Sequence, residues 1–572
     1  MKISLLLLTA VVLTFTACQN PPSSKSDAEF NAVTEDFLRG YLAWRPHLGV
    51  ALGLHEHDGK ITDYSSDSIA RELQRLKDFD RKFASLNTNA LSKRAYYDYR
   101  IVRAEVQREL FRFDDQKVFT DNPMTYAQAV DLNIYIKRDF APLKERMKSI
   151  IAIEREVPRV LQAARQNLKR ELAKPFVETA IDQAKGVVDF LRRDLTDALK
   201  DVKDAEFEKV NQSAIAEFEK YSAWLEKERL PTAHARYALG RDVFYKMVRE
   251  GELIRLTPEQ ILEKGLKELK REQAIFVETA KKLDLGKPAI EVFKAIQKDH
   301  PTEQNLIPDT KKNLEAIRKF CEDRKIITFP SPVRARVEET PTYLRATSFA
   351  SMDTPGPFEK KATEAYYYVT PTEKDWPAKQ KEEWLTAFNY YTTDVVSIHE
   401  AYPGHYTQFL CLNASSANKV EKVIGSYAFV EGWAHYTEQM LLDEGFGADN
   451  LKYRLAQSDE ALLRLCRLCV AIKTHCEGMS LDDATKFFQD NCYYEEKPAR
   501  QEATRGTYDP GYLYYTLGKL QILKLRDDYQ KQEGSRFSMQ RFHDELLRHG
   551  MPPIRLLREV MLEDPSIWDH VF

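Results

Sequence analysis

The stretch SIHEAYPGHYTQ, residues 397–408, brings two imidazoles and a carboxylate close together in sequence: His399, Glu400 and His405. His-Glu opens the H-E-x-x-H signature of zinc hydrolases, in which both histidines bind the ion and the glutamate acts as base. Here the second histidine comes two positions late. A regular helix turns by about 100° per residue, so i and i+4 share a face, whereas i+6 puts His405 about 240° round from His399. Pro403-Gly404 lies between them. Proline removes a helical N–H and clashes with the preceding turn, and glycine accepts unusual dihedrals. A bulge or break there returns His405 to the His399 face. The competing reading is a helix that ends at Pro403, with two unrelated histidines.

A second set of ionisable groups follows in YAFVEGWAHYTEQM. Glu431, His435 and Glu438 fall at i, i+4 and i+7 and so share one helix face, among Phe429, Trp433 and Met440. A burial-prone helix with three such groups on one stripe needs partners for them. A dication bound by Glu431, with His435 and Glu438 supporting it from behind, supplies them. A solvated face is the other reading, and the surrounding apolar side chains oppose it.

Long amphipathic helices must carry these groups. SSDSIARELQRLKDFDRKFASL, LKERMKSIIAIEREVPRVLQAARQNL and PFVETAIDQAKGVVDFLRRDLTDAL all space their apolar residues by three and four. In LTPEQILEKGLKELKREQAIFVETAKKL, Thr257 is the expected N-cap, Pro258 the first helical residue and Gln260 the closing member of a capping box. From about residue 326 the composition turns to Pro, Thr and aromatics, with strand-like alternation in ATSFAS and EAYYYVTP, which predicts a small sheet just before the motif. Helical pattern returns from about residue 379. The expected fold is mainly α: one large two-lobed helical body, 29–325 and 326–572, with a small β-sheet near the active site and the chemistry in the second lobe.

The chain starts MKISLLLLTAVVLTFTACQN, an apolar run too short to span a bilayer and ending at small residues, which reads as an export signal over 1–17. Thr16-Ala17-Cys18 resembles a bacterial lipobox, with Phe15 where Leu is usual. This makes Cys18 the expected lipidation site and membrane anchor, with a polar tether over 18–28. Of the 572 residues, 43% are hydrophobic and 30% charged, and the net charge is −3, which argues against a nucleic-acid partner. Cys476 with Cys492 is the most plausible disulfide in an oxidising compartment. Cys466-x-x-Cys469 sits on an apolar stripe and reads as core rather than as a metal site. His55 and His57 in GLHEHDG lack a third ligand and read as structural.

HEAYPGHYTQ followed by EGWAHYTE resembles the bacterial domain of unknown function 885 family. Further likeness lies in GLHEHDGKITDYS, RLCRLCVAIKTHCEGMSLDDA and TRGTYDPGYLYYTLGKLQILKLR. The chain departs from the family pattern at Lys473, where Asp is common, and at Tyr512, where Gln is common. That family in turn is similar to the helical gluzincin peptidases of the angiotensin-converting-enzyme and thimet-oligopeptidase types. The resemblance implies Zn2+ bound by His399, His405 and Glu431, with Glu400 as the catalytic base. RGTYDPGYLYYTLGK would supply donors to a developing oxyanion, since related peptidases use a C-terminal tyrosine or histidine for this. Tyr508 is the first expectation, then Tyr515, with Arg505 nearby and His475 after both.

These features predict a zinc metallopeptidase acting on peptide substrates in the bacterial cell envelope. A zinc amidase acting on cell-wall fragments and a non-catalytic metal-containing surface lipoprotein are the alternatives. Glu400 separates the last from the others, because a structural metal has no use for a carboxylate aimed at water.

Overall fold

The computed structural model describes residues 25–572 except 203, 342–344 and 346–347. The expected signal segment 1–17, Cys18 and residues 19–24 of the expected tether lie outside the described residues, as do Ala346 and Thr347 of ATSFAS. Lys25–Ala28, expected as tether, instead open a helix, Lys25–Trp44. Asp27 is buried there and accepts a 2.9 Å hydrogen bond from the Ser92 N–H at the start of the Lys93–Leu110 helix, which fixes this end of the chain. No helix among the described residues is long and apolar enough to cross a membrane.

The protein is mainly α-helical with one small sheet. The N-terminal helices follow the apolar spacing: Ser66–Ala84 is capped by Ser65, and Leu143–Asn167 runs through Pro158. In α1 (Pro258–Leu283) both halves of the Thr257/Gln260 capping box are formed. One core gathers the helices Leu143–Asn167, Lys174–Asp189 and Ala205–Trp224.

The strands are β1 (Arg336–Glu339), β2 (Ala350–Asp353) and β3 (Tyr366–Val369), in the order β1-β3-β2. β1 runs parallel and β2 antiparallel to the central β3. The site elements follow: α2 (Tyr390–Glu400), α3 (His405–Ala414), α4 (Tyr427–Asp443), α5 (Leu451–Cys476) and α6 (Tyr514–Glu533). One core joins residues 244–296 to α5 and the C-terminal segments, with Leu269 and Phe276 of α1 packed alongside Leu465 and Leu468. Packing therefore runs across the expected division at residue 325.

Among the described residues all six cysteines are free, so the expected Cys476–Cys492 disulfide is not formed. The cause is helix phase: the Cys492 thiol, on the Leu481–Cys492 helix, turns toward Cys466 of α5 and donates to the Phe488 carbonyl at 3.1 Å. Cys466 and Cys469 are fully buried core residues, as expected.

Candidate metal centre

The two histidines meet because the helix breaks. α2 ends at Glu400, the Tyr402–Pro403 peptide is cis, and α3 begins at His405. Gly404 N–H bonds back to the Ile398 carbonyl at 3.0 Å, and Thr407 Oγ1 donates to the Ala401 carbonyl at 3.1 Å. A Cβ on Gly404 would lie 1.8 Å from the His399 carbonyl oxygen, so no other residue passes through this turn unchanged. Trp433 of α4 locks it from below, its indole N–H shared between the Pro403 and Gly404 carbonyls at 3.0 and 3.3 Å. The result is a break rather than a bulge, and the His399 and His405 rings stand perpendicular with centroids 4.9 Å apart.

Glu431, in the second turn of α4, faces both rings. Its Oε2 lies 3.5 Å from Nε2 of His399 and 3.5 Å from Nε2 of His405. One ligand atom from each of the three residues falls within 4.8 Å of the others, which makes a possible metal site. Glu431 Oε2 is buried without a hydrogen-bond partner, which is costly unless a further group joins it. Burial raises the Glu431 pKa, but the two imidazoles beside it outweigh this and hold the carboxyl well below the ordinary range. Two imidazole nitrogens and one carboxylate converging on a buried point fit a borderline divalent ion such as zinc, and a site with three protein ligands leaves a position open.

Behind this trio stands Glu438. Its Oε1 accepts from His399 Nδ1 at 2.6 Å, its Oε2 lies 3.0 Å from His435 Nδ1, and Arg464 Nη2 lies 3.4 Å from Oε1. With Nδ1 committed to Glu438, Nε2 is the nitrogen that His399 turns toward Glu431. Burial lowers the pKa of this imidazole, but the carboxylates of Glu431 and Glu438 outweigh that and raise it to about 10. Burial, together with the charge of Lys519, pushes His435 down to about 3, so this imidazole is neutral. Glu438 therefore touches His399 directly, whereas His435 reaches that ring only by way of Glu438.

Glu400 is half-buried at the end of α2. Its Oε2 accepts a 3.2 Å hydrogen bond from the Met352 N–H, on the edge of β2 away from β3. The sheet is tied to the same helix by Ser397 Oγ, which donates to Tyr367 OH at 3.1 Å.

Among the expected donors, Tyr515 is the one beside the trio. Its ring lies 6.5 Å from that of His399, at 20°. Arg467, Arg464 and Arg505 surround it, their guanidinium carbons 5.3, 5.9 and 6.0 Å from its centroid. Burial keeps its phenol protonated well past neutral pH. Arg505 is held by Asp509 at 2.9 Å and reaches Tyr427 OH at 3.3 Å. Tyr508, the first expectation, points elsewhere: it ends the Glu496–Tyr508 helix with its ring edge-on to Phe176, centroids 6.1 Å apart. His475 has both nitrogens engaged, accepting from the Leu239 N–H at 3.3 Å and donating to the Gly506 carbonyl at 2.8 Å, and burial pushes it down to about 4. His55 likewise lies between Asp58 and Glu359 and stacks on Phe140.

Sequence reasoning missed Arg464 and Arg467, whose signal lay in LLRLCRLCVAI: two arginines one turn apart on an otherwise apolar, buried helix need carboxylates. Glu502 supplies a bidentate pair to Arg467, at 2.7 and 2.8 Å, and Glu460 pairs with Arg464.

No curated protein matches the chain. Two of the solved structures that match the chain share its fold over nearly its whole length. A "putative lipoprotein of unknown function" from Shewanella oneidensis is 24% identical, with a TM-score of 0.77, over 95% of this chain and 100% of that one. A "putative lipoprotein" from Colwellia psychrerythraea is 17% identical, with a TM-score of 0.76, over 95% of this chain and 99% of that one. The model of the family described as "Bacterial protein of unknown function (DUF885)" matches residues 46–561, and the chain belongs to that family.

Proposed function

We propose that the protein is a zinc-dependent peptidase of the bacterial cell envelope, with His399, His405 and Glu431 as metal ligands and Glu400 as general base. The observation that carries this reading is the convergence of the buried Glu431 Oε2 with Nε2 of both histidines, each at 3.5 Å. Bound zinc would supply Lewis acidity to a scissile carbonyl and to the attacking water. Glu400 takes the proton from that water and passes it to the leaving amine. Tyr515, protonated by burial, donates to the oxygen on which charge develops. β2 is an edge strand, and an extended substrate backbone adds along it next to Glu400. The Thr16-Ala17-Cys18 sequence and the lipoprotein descriptions of the two structural neighbours support a lipid anchor at Cys18.

Metal analysis of the purified protein, paired with cleavage of a peptide library read by mass spectrometry, tests this. One zinc per chain is expected. Glu400→Gln keeps the shape without the proton acceptor, so it should retain the zinc and lose turnover by about 10²- to 10⁴-fold. Wild-type turnover in that variant, or protein that binds no divalent metal, overturns the proposal.

A further inference from the structure

A cavity of about 680 Å³ lies between the N-terminal helices and the end of the Glu496–Tyr508 helix. It is larger than a water-filled crevice needs to be and has the size of a small-molecule site. A second cavity, of about 370 Å³, shares Arg112, Gln116, Tyr508, Asp509 and Pro510 with it and extends to Tyr427. The Tyr427 ring lies 5.9 Å from Tyr515, so a thin layer of Tyr427, Arg505 and Asp509 separates this space from the metal centre.

The lining selects a ligand chemistry. Trp44, Tyr64, Phe176 and Tyr508 present aromatic surface, each half-buried. Phe119 fixes the Trp44 ring edge-on at 6.4 Å. The lining also carries the side-chain amides of Gln116, Asn122 and Gln128, which offer both donors and acceptors, the Asn122 Oδ1 also accepting from the Met124 N–H. The charged groups in the wall already have partners: Arg45 and Arg112 bind Glu109, Asp509 binds Arg505, and His47 faces Asp131 at 3.7 Å. A strongly acidic or basic ligand finds no unmatched countercharge here, and a lipid chain would strand the amides. An uncharged ring with apolar faces and an equator of hydroxyl and amide groups satisfies both features, its faces on the aromatics and its edge on the amides.

We infer that this cavity binds an N-acetylated pyranose, at a site closed off from the metal centre by Tyr427, Arg505 and Asp509. The choice of a glycosylated peptide as its carrier rests on the peptidase reading; the sugar site does not.

The test measures binding of two probes to the full-length protein by calorimetry: a short peptide carrying an N-acetylglucosaminyl-N-acetylmuramyl group, and the same peptide without it. To keep the probes intact, the measurement uses Glu400→Gln. The glycosylated probe should bind at least tenfold more tightly, and Trp44→Ala in the same background should erase that difference. Should Trp44→Ala fail to fold by circular dichroism, the double substitution Gln116→Ala with Gln128→Ala on the cavity wall serves instead. Equal affinity for the two probes, or a preference that survives the cavity substitutions, overturns the sugar site and leaves the metal reading standing. A sugar preference in a protein that binds no divalent metal retains the sugar site and removes the peptidase reading.

Discussion

Glu438 Oε1 accepts a 2.6 Å hydrogen bond from His399 Nδ1 while its side chain is completely shielded from solvent. This contact fixes which nitrogen of His399 is free, and with it the direction in which the ring can bind an ion. Glu438→Gln retains an acceptor of the same shape but loses the charge that makes the imidazole more basic. Metal affinity should fall by about 10- to 100-fold, the usual cost of losing a supporting carboxylate. Competition against a calibrated chelator measures it, and unchanged affinity would mean that Glu438 serves the fold alone.

His405→Ala should lose the metal outright. Three ligands hold a divalent ion tightly and two do not, and among the described residues no other imidazole groups with His399 and Glu431. Stoichiometric zinc after dialysis of this variant would falsify the ligand set. His435 would then need testing as the second imidazole, since its Nε2 is buried without a partner.

Tyr515→Phe removes a phenol beside the metal ligands while keeping the ring against the three guanidinium groups. The expected result is full metal content, nearly unchanged KM and a loss of kcat of about 10²- to 10³-fold, as for removal of one oxyanion donor. A large kcat loss in Tyr508→Phe together with none in Tyr515→Phe would return the role to Tyr508.

The choice between those two tyrosines shows where the sequence stopped being informative. The break at Pro403-Gly404 and the shared face of Glu431, His435 and Glu438 could be read because both follow from local rules, the one of backbone sterics and the other of helical period. Tyr508 and Tyr515 are seven residues apart on either side of Pro510-Gly511, and their directions depend on how that turn orients the Glu496–Tyr508 helix against α6. No local rule fixes that angle. The same limit applies to Cys492, whose partner choice is set by the packing of two helices, and to Lys25–Ala28, whose polar composition hid the anchoring contact of Asp27 with Ser92. Arg464 and Arg467 are legible as charges on an apolar stripe, but the Cys466-x-x-Cys469 spacing beside them points first to a metal or a core.

The position of Tyr515 depends on a backbone contact. A Cβ on Gly518 would lie 1.8 Å from the Ala428 carbonyl oxygen, and one on Gly432 would lie 2.5 Å from the Gly518 Cα. α4 and α6 therefore cross at glycine on glycine, one residue from Glu431 and three from Tyr515. Gly518→Ala must push the helices apart. Overpacking of this kind costs about 1–3 kcal/mol, so thermal stability should fall, and turnover should fall more than metal content because the tyrosine moves away from the ligands. A variant with wild-type stability and turnover would show that the crossing is not needed to set the site.

Glu154 gives a prediction far from the metal, in the core of the N-terminal helices. It lies on the Leu143–Asn167 helix, fully buried, with neither carboxylate oxygen hydrogen-bonded, and burial alone pushes its pKa up to about 8. As pH rises through the ordinary glutamate range the unfolded chain releases this proton while the folded chain keeps it. The folded state then binds more protons than the unfolded state, so stability falls with rising pH and stops falling once the folded group also ionises near pH 8. Across that window each step of one in pH costs ~1.4 kcal/mol, so the loss amounts to several kcal/mol. Glu154→Leu removes the titration and fills the same space with an apolar side chain. Other buried acids also titrate in this window, so the informative quantity is a double difference: Tm at pH 5 minus Tm at pH 8, wild type against variant. The wild type should lose more of its Tm over that interval than the variant, and the variant should be the more stable protein at pH 8. Equal slopes for the two proteins would mean that Glu154 finds a partner or water in solution and ionises in place.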